Sequence, residues 1–562
     1  MQSMKKLLLT SVVAVMVSAT ALAGCSSDKG TKSAGQASGT PPASSAGAPA
    51  SQAAAGDKFE LGSEPLEFTF YGNYDWYTMP NWGDDLATKW IKENKKINVI
   101  PVQSGGDAKT KYNTMIASND LPDVMWMERG PDVEKLRQAD MLVPFDDYLD
   151  KYPNLKTWLG DAGINMLRSE DGKLYQFPNW YTNQPNGNAG YVINKKIYEE
   201  LGSPKLETTD DLYNYLKLVK AKYPKVVPFE SGLAKDGAAL DVLYSAFGED
   251  HFPTFVANRA VPKDGKLTSI FTDPVFRESM QFANKLYREK LMTQDALTQT
   301  RDQYKEKVLN GQIAVFADSS PTEFGDIGNV TLKAKDPKAG YFMIWPIHKE
   351  GLDKNKIFPG SYNQLGWNVS VITKAAKDPE KIFAFLDWFT GPEGQRTIFW
   401  GPPGLYQDGG EGGPDGFAKF TDKYVTDHEG RDKLMNITNS FQWNGNTVYI
   451  DKSKAAFEAS LPEDSKNWAT KWQSEITWKT QANSTQYINL SPAPDSEEGI
   501  IWTQLDEMFK EVRAKALMAK SEADVLSIFD KAESDAQAMG YEKVLSFMTT
   551  KWQDNVKKMN GK

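Results

Sequence analysis

The groups best equipped for chemistry in this chain are its flat aromatic side chains: 16 tryptophans and 23 tyrosines among 562 residues. An indole face stacks on the apolar C–H face of a pyranose or on another flat ligand. Asn, Asp, Glu and Arg beside it fork hydrogen bonds to hydroxyls. Candidates of both kinds gather in the segments that follow apolar runs. They are Trp76 and Trp82; Trp126, Glu128 and Arg129; Asn179, Trp180, Tyr181 and Asn183; Asp318 and Ser319; and Trp345, Trp367, Trp400 and Trp443. Trp90, Trp158, Trp388 and Trp502 fall within helical periodicity and are expected in the core. Bond-making chemistry finds less support. His251, His348 and His428 are far apart with no metal-ligand spacing, and there is no G-x-S-x-G and no Walker loop. The single cysteine, Cys25, leaves no spare thiol nucleophile. A carboxylate pair suited to glycoside hydrolysis is inevitable among 74 acidic residues and therefore decides nothing. The chain reads as a binder and not an enzyme, with a secreted polysaccharide-degrading glycosidase or lyase as the alternative.

These residues need elements to hold them. Leu66 to Tyr71 alternates as a strand ending at Gly72-Asn73. A helix is expected over Asp84 to Glu93, a strand over Ile97 to Val102, a helix over Thr110 to Ala117 and a strand over Leu121 to Trp126. That order predicts a parallel α/β sheet, and ligands of such sheets gather at the carboxyl ends of strands. Tyr71-Gly72-Asn73 and Trp126-Met127-Glu128-Arg129 fall there, with Trp76 and Trp82 just after the first strand. Glu497 to Lys551 carries helical spacing without sustained heptads, which predicts packed helices and not a coiled coil.

Upstream, Lys5 and Lys6 precede an uncharged apolar run from Leu7 to Val17 and the small residues before Cys25, the pattern of a secretory signal. Leu22-Ala23-Gly24-Cys25 resembles the lipobox of bacterial lipoproteins. The resemblance implies removal of residues 1–24 and a diacylglyceryl group on the Cys25 sulfur. Two acyl chains anchor stably where one does not. Ser, Ala, Gly and Pro dominate residues 25–58, which cannot bury enough surface to order themselves. They are expected to form a tether with a reach of about 30 Å. The formal net charge of −9 argues against nucleic acid and against attraction to anionic headgroups, so the membrane would be held through lipid alone. No disulfide can form within the chain. The cell membrane's outer face is the expected location, and the long tether suggests a Gram-positive cell.

Leu121-Pro122-Asp123-Val124, Leu142 to Leu149, Tyr152 to Leu155 and Asp171 to Pro178 together resemble the extracellular solute-binding proteins of carbohydrate ABC importers, especially their long oligosaccharide-binding lipoproteins. Gly190 to Lys196, Phe271 to Phe276, Asn310 to Val315 and Pro379 to Gly394 continue the likeness in order over most of residues 64–405. The resemblance implies an α/β, two-lobed fold of the type II periplasmic-binding-protein kind, with three interlobe crossings and extra C-terminal helices. Lobe one would comprise 59–178 and 360–435, lobe two 179–359 and 436–500, with 501–562 as helices packed on the lobes. The crossings would lie near Phe177 to Asn183, near Phe358 to Gln364, and in 435–450, at Phe441-Gln442-Trp443. Implied partners are an oligosaccharide held by hinge closure and the membrane permease subunits of an ABC importer, with the protein itself a monomer. Trp180-Tyr181, at the first crossing, is the strongest expected contact. Some relatives carry a calcium loop in lobe two, but Val219 to Pro228 has lysines where oxygen ligands are required. No metal or cofactor is expected, and the acidic, Gly-rich stretch Asp408 to Asp415 reads as a mobile loop.

Overall fold

Leu66, Phe68 and Phe70 alternate with Glu67 and Thr69, so a period of two places three large apolar side chains on one face. The computed structural model describes residues 58–230, 232, 237–412, 417–493 and 496–561. The signal segment, Cys25 and nearly all of the tether lie outside them. The alternating run is strand β1 (Leu66–Gly72), flanked in parallel by β2 (Ile97–Val102) and β3 (Val124–Glu128). Helices Leu86–Asn94 and Ala108–Ser118 make the crossovers. The third strand starts later than the sequence suggests because Pro122 has no N–H to give a ladder. The Asp123 carboxylate instead accepts from Thr69 N and Oγ1, both at 2.7 Å. A two-residue strand, β4 (Phe177–Pro178), ends the first pass through this lobe.

The chain then builds a second sheet. Its strands are β5 (Gly190–Asn194), β6 (Val227–Glu230), the hairpin β7 (Ala260–Lys263) and β8 (Lys266–Ser269), which stands apart, then β9 (Ile313–Asp318) and β10 (Tyr341–Ile344). The four main strands lie in the order β10-β5-β9-β6, with β6 parallel to β9 and β5 antiparallel to its neighbours. Every residue of β9 is buried: Val315 and Ala317 enter one core cluster and Ile313 and Phe316 another, so both faces are covered.

A short strand, β11 (Gly360–Tyr362), leads back to β12 (Asn368–Ile372), which inserts antiparallel between β3 and β4. The lobe-one sheet is thus β2-β1-β3-β12-β4. Next come β13 (Gln407–Gly412) and β14 (Phe417–Phe420), an antiparallel pair where the sequence reading placed a mobile loop at Asp408. Phe441-Gln442-Trp443 is not an interlobe crossing. Trp443 is fully buried and stacks on Phe70 at 3.8 Å, and Tyr449 and Ile450 on the next helix join the same lobe-one core. Trp468, on helix Trp468–Glu475, instead packs in a lobe-two cluster with Phe324. The third crossing therefore falls between Ala459 and Trp468, and lobe one extends past residue 435.

Strand β15 (Gln481–Asn483) then pairs in parallel with β11. Helices Glu497–Leu517, Glu522–Met539 and Tyr541–Met559 send Leu505, Phe509, Val525, Phe529, Val544 and Met548 into the lobe-two core. Fully burying one such Phe or Leu side chain stabilises by about 1.5–3 kcal/mol. Buried Asn284 fixes the end of the first of these helices, its amide donating to the carbonyls of Ala516, Leu517 and Ala519 at 2.8–3.2 Å.

Candidate functional site

At the carboxyl edge of the lobe-one sheet two indoles remain uncovered. Trp76 is 62% exposed and Trp367 46%, and their rings lie 6.1 Å apart, inclined by only 18°. Trp76 follows β1 and Trp367 precedes β12, so the sheet itself brings them together across nearly 300 residues of chain. Tyr74 lies 5.0 Å from Trp76 and 5.6 Å from Trp367, and Trp126 meets both indoles edge-on, near 6 Å. The result is an aromatic plate whose two indoles stay exposed to solvent while Tyr74 and Trp126 pack against them, suited to stacking on a sugar. Exposed Glu128 sits at the end of β3 beside it.

Asn368 organises what lies beneath. Its Oδ1 accepts from Trp126 Nε1 at 2.8 Å and Asn179 Nδ2 at 3.0 Å, while its Nδ2 donates to the Tyr74 hydroxyl at 3.0 Å. Burial and nearby Glu128 raise the Tyr74 phenol well above its usual range, which keeps it neutral. Arg129, the next residue after Glu128, does not face outward. Its two terminal nitrogens donate to the carbonyls of Leu365 at 2.8 Å and Gly366 at 2.7 Å. Burial lowers this guanidinium to about 10, with Glu128 and Tyr74 acting in the opposite sense. Gly366 is at φ +68°, and a Cβ there would stand 2.0 Å from the Asn179 carbonyl oxygen, so only glycine fits this turn.

Several expected contacts are structural. Trp82 is buried, donates to Ile97 O at 2.9 Å and stacks on Trp443. Trp400 is buried against Phe420, and Tyr181 is buried with its hydroxyl bonded to Thr390 Oγ1 at 2.7 Å. Asn179 is fully buried between Asn368 and the Gly445 amide. These are corrections: strand ends carry core residues as readily as cleft residues, and residue type does not distinguish them. Trp180 is half-buried at φ +58° with its ring edge on Phe399, so it caps the lobe-one core more than it lines a cleft. Arg129 and Trp126 stand behind the plate. Asn183 is exposed, with only a 3.4 Å bond to Trp158 O, and half-buried Trp345 donates to Lys354 O at 3.0 Å; neither joins the plate. The helical indoles Trp90, Trp158 and Trp388 are partly buried against the lobe-one core, and Trp502 against that of lobe two.

Lobe two contributes a polar cavity of about 490 Å³ at the carboxyl end of β9. Asp318 and Ser319, both expected, line it with Asp241, Arg301, Tyr304 and Gln481. Burial pushes the Asp241 carboxyl up to about 6, opposed by Arg513, whose Nη1 donates to it at 3.2 Å. The Tyr304 hydroxyl and both amide atoms of Gln481 are buried without a hydrogen-bond partner. Gln481 lies against the first and second crossings: a Cβ at Gly187 would stand 2.0 Å from its Oε1, and one at Gly360 2.4 Å. Ser361 of this cavity and Trp367 of the plate belong to one crossing segment, six residues and thus at most about 20 Å apart. Sequence reading missed Tyr74, Asn368, Tyr304 and Gln481. For the first two, the signal was their position at strand ends beside tryptophans already chosen. Gln481 has no local signal, because only the fold brings it to the two glycines.

Among the described residues no helix is long and apolar enough to cross a membrane, and no group of three or more His, Cys, Asp or Glu side chains could hold a metal ion. Residues 78–396 match the sequence model described as bacterial extracellular solute-binding protein. Lipoprotein LipO of Bacillus subtilis (strain 168) is 25% identical over 354 residues, 61% of this chain and 67% of that protein. The melibiose/raffinose/stachyose-binding protein MelE of the same strain is 25% identical over 313 residues, 52% of this chain and 64% of that protein. The chain thus spans about two thirds of the length of these relatives. Among solved structures, the S. pneumoniae ABC-transporter substrate-binding protein FusA in complex with kestose superposes with a TM-score of 0.63 at 17% identity, covering 87% of this chain and 99% of that one. The two-lobed α/β fold is shared.

Proposed function

The chain belongs to the bacterial extracellular solute-binding protein family, and on that premise we propose that it is the lipid-anchored receptor of an ABC importer, which captures an oligosaccharide between two lobes and delivers it to a membrane permease. The observation that carries the saccharide is the pair of exposed, nearly parallel indoles of Trp76 and Trp367 at the carboxyl edge of the lobe-one sheet. Stacking would hold the sugar face, and Asp318, Ser319 and Asn188 in the lobe-two cavity would meet its hydroxyls. A ligand touching both walls has its full contact set only when the lobes close on it, so binding shifts the population toward closure. The saccharides in the printed names of relatives, melibiose, raffinose and stachyose in one and polygalacturonan and rhamnogalacturonan in another, support an oligosaccharide as cargo. The name of LipO supports an anchor at Cys25. The sugar leaves unaltered, because the receptor's task is capture and transfer.

The test is a fluorescence titration of the chain from Ser26 onward with raffinose, stachyose, kestose, maltotriose and trigalacturonate. A saturable change in tryptophan emission with at least one of them is expected, with the sugar recovered intact. Trp367→Ala should weaken that binding by about 1–3 kcal/mol, the usual scale of an aromatic stacking contact. A chain that cleaves the sugar, or a variant that binds as tightly as the parent, would refute the assignment.

A further inference from the structure

The indole of Trp367 is 46% exposed. Trp76 lies nearly parallel to it at 6.1 Å, Tyr74 is tilted against it at 5.6 Å and Trp126 meets it edge-on at 5.8 Å. The backbone that carries the ring sets where it stands among them. Trp367 N donates to Asn179 O at 3.1 Å, and the two peptide carbonyls immediately before it, those of Leu365 and Gly366, are both taken by Arg129. We propose that Arg129 is a positioning residue for the binding plate: from the end of β3 its guanidinium fork grips two successive carbonyls and fixes Trp367 beside Trp76, without touching the saccharide. This rests on the reading of Trp367 as a ligand contact.

The chemistry of the grip favours arginine. Its planar fork presents two N–H groups side by side, matching two adjacent carbonyl oxygens, whereas a lysine ammonium is a single point. The guanidinium has no ion pair among the described residues; its hydrogen bonds go to those two carbonyls, and its Nε is buried without a partner. Keeping a charge there at the expense of hydration makes sense for a residue retained for geometry. The turn it grips is closely packed, since Gly366 leaves no room for a side chain against the Asn179 and Trp180 backbone. Loss of the grip would free the ring to swing without unfolding the sheet, because β12 begins only at Asn368.

Five proteins decide the matter: the parent, Arg129→Gln, Arg129→Lys, Trp367→Ala and the double variant Arg129→Gln with Trp367→Ala. In the absence of any sugar, two indoles 6.1 Å apart give a coupled circular-dichroism band, isolated as the parent spectrum minus that of Trp367→Ala. Arg129→Gln should lose most of this band while melting cooperatively, and Arg129→Lys should not restore it. With the tightest-binding saccharide of raffinose, stachyose, kestose, maltotriose and trigalacturonate, Arg129→Gln should cost tenfold or more in affinity in the parent and less than twofold in the Trp367→Ala background. An intact band in Arg129→Gln, or an equal affinity loss in both backgrounds, overturns the proposal. A loss confined to trigalacturonate would also overturn it, by making Arg129 an ionic contact for an acidic sugar. If none of the five sugars binds, the stacking assignment fails while the sugar-free band still decides the role of Arg129.

Discussion

Asp387 shows at the scale of a single residue how burial and hydrogen bonding compete. Helix Asn154–Leu167 starts after Pro153, which has no side-chain oxygen to cap it. Asp387, on another helix, supplies that oxygen, accepting from Leu155 N at 2.8 Å and Asn154 N at 3.1 Å. Burial raises this carboxyl to about 6, although those N–H groups pull it down. An acid raised in the folded state binds its proton more tightly there than in the unfolded chain. Its contribution is therefore fully present below about pH 4 and is lost as pH rises through about 6. Asp387→Asn removes that dependence. Relative to the parent, the variant's unfolding free energy should gain up to about 3 kcal/mol between pH 4 and pH 7, read from urea melts at each pH. Parallel curves for the two proteins would place the Asp387 carboxyl in its ordinary range. The indoles teach a different lesson at this scale. Trp76, Trp82 and Trp443 are the same residue type in loops of similar composition, yet one is bare and two are core. Sequence could not sort them, because their burial depends on Phe70, Phe385 and Phe441 arriving from distant parts of the chain.

At the scale of elements, local pattern read well wherever one element answers to its own periodicity. β1, β2 and the helices between the first three strands lie within two residues of where alternation and apolar spacing predict them. The third crossing did not read at all. Nothing in residues 435–468 says locally which lobe will claim Trp443 and which Trp468; the answer is set by partners more than a hundred residues away. The contact among crossings is of the same kind. Gln481 of β15 sits where Gly187 and Gly360 leave space, so three remote segments must agree on one volume. Gly187→Ala puts a methyl 2.0 Å from the Gln481 oxygen, which must move. Overpacking of this kind costs about 1–3 kcal/mol. A matching drop in thermal midpoint is expected, and Gln481→Ala in the same chain should recover most of it. A Gly187→Ala protein as stable as the parent would mean that the glutamine has other room.

At the scale of the molecule, the lobes share more than their three crossings. The final helix, Tyr541–Met559, begins in the lobe-two core through Tyr541, Val544 and Met548. Its far end reaches lobe one, where Met559 packs against that core and Lys558 Nζ donates to Arg168 O at 3.0 Å. Between them lies a cavity of about 670 Å³, lined by Gln176 and Arg168 from lobe one and Lys551 and Asn555 from the helix. Asn555 donates to the carbonyls of Gln486 and Ile488, which holds the helix up to that point, and before it, among the described residues, only the exposed Lys551–Glu170 pair at 4.0 Å is an ion pair to lobe one. The last turn is then a strap: any hinge motion must slide or release it, and its contacts bias which interlobe angle is populated. A chain ending at Asn555 keeps the Gln486 and Ile488 bonds and loses the strap. Spin labels on Leu218→Cys in lobe two and Ile437→Cys in lobe one, both exposed positions, report the interlobe distance in a chain starting at Ser26, which lacks the only native thiol. The shortened chain should give a broader distance distribution without saccharide, while its thermal midpoint falls by only a few degrees. Identical distributions would show that the three crossings alone set the angle, and that Lys558 and Met559 merely follow it.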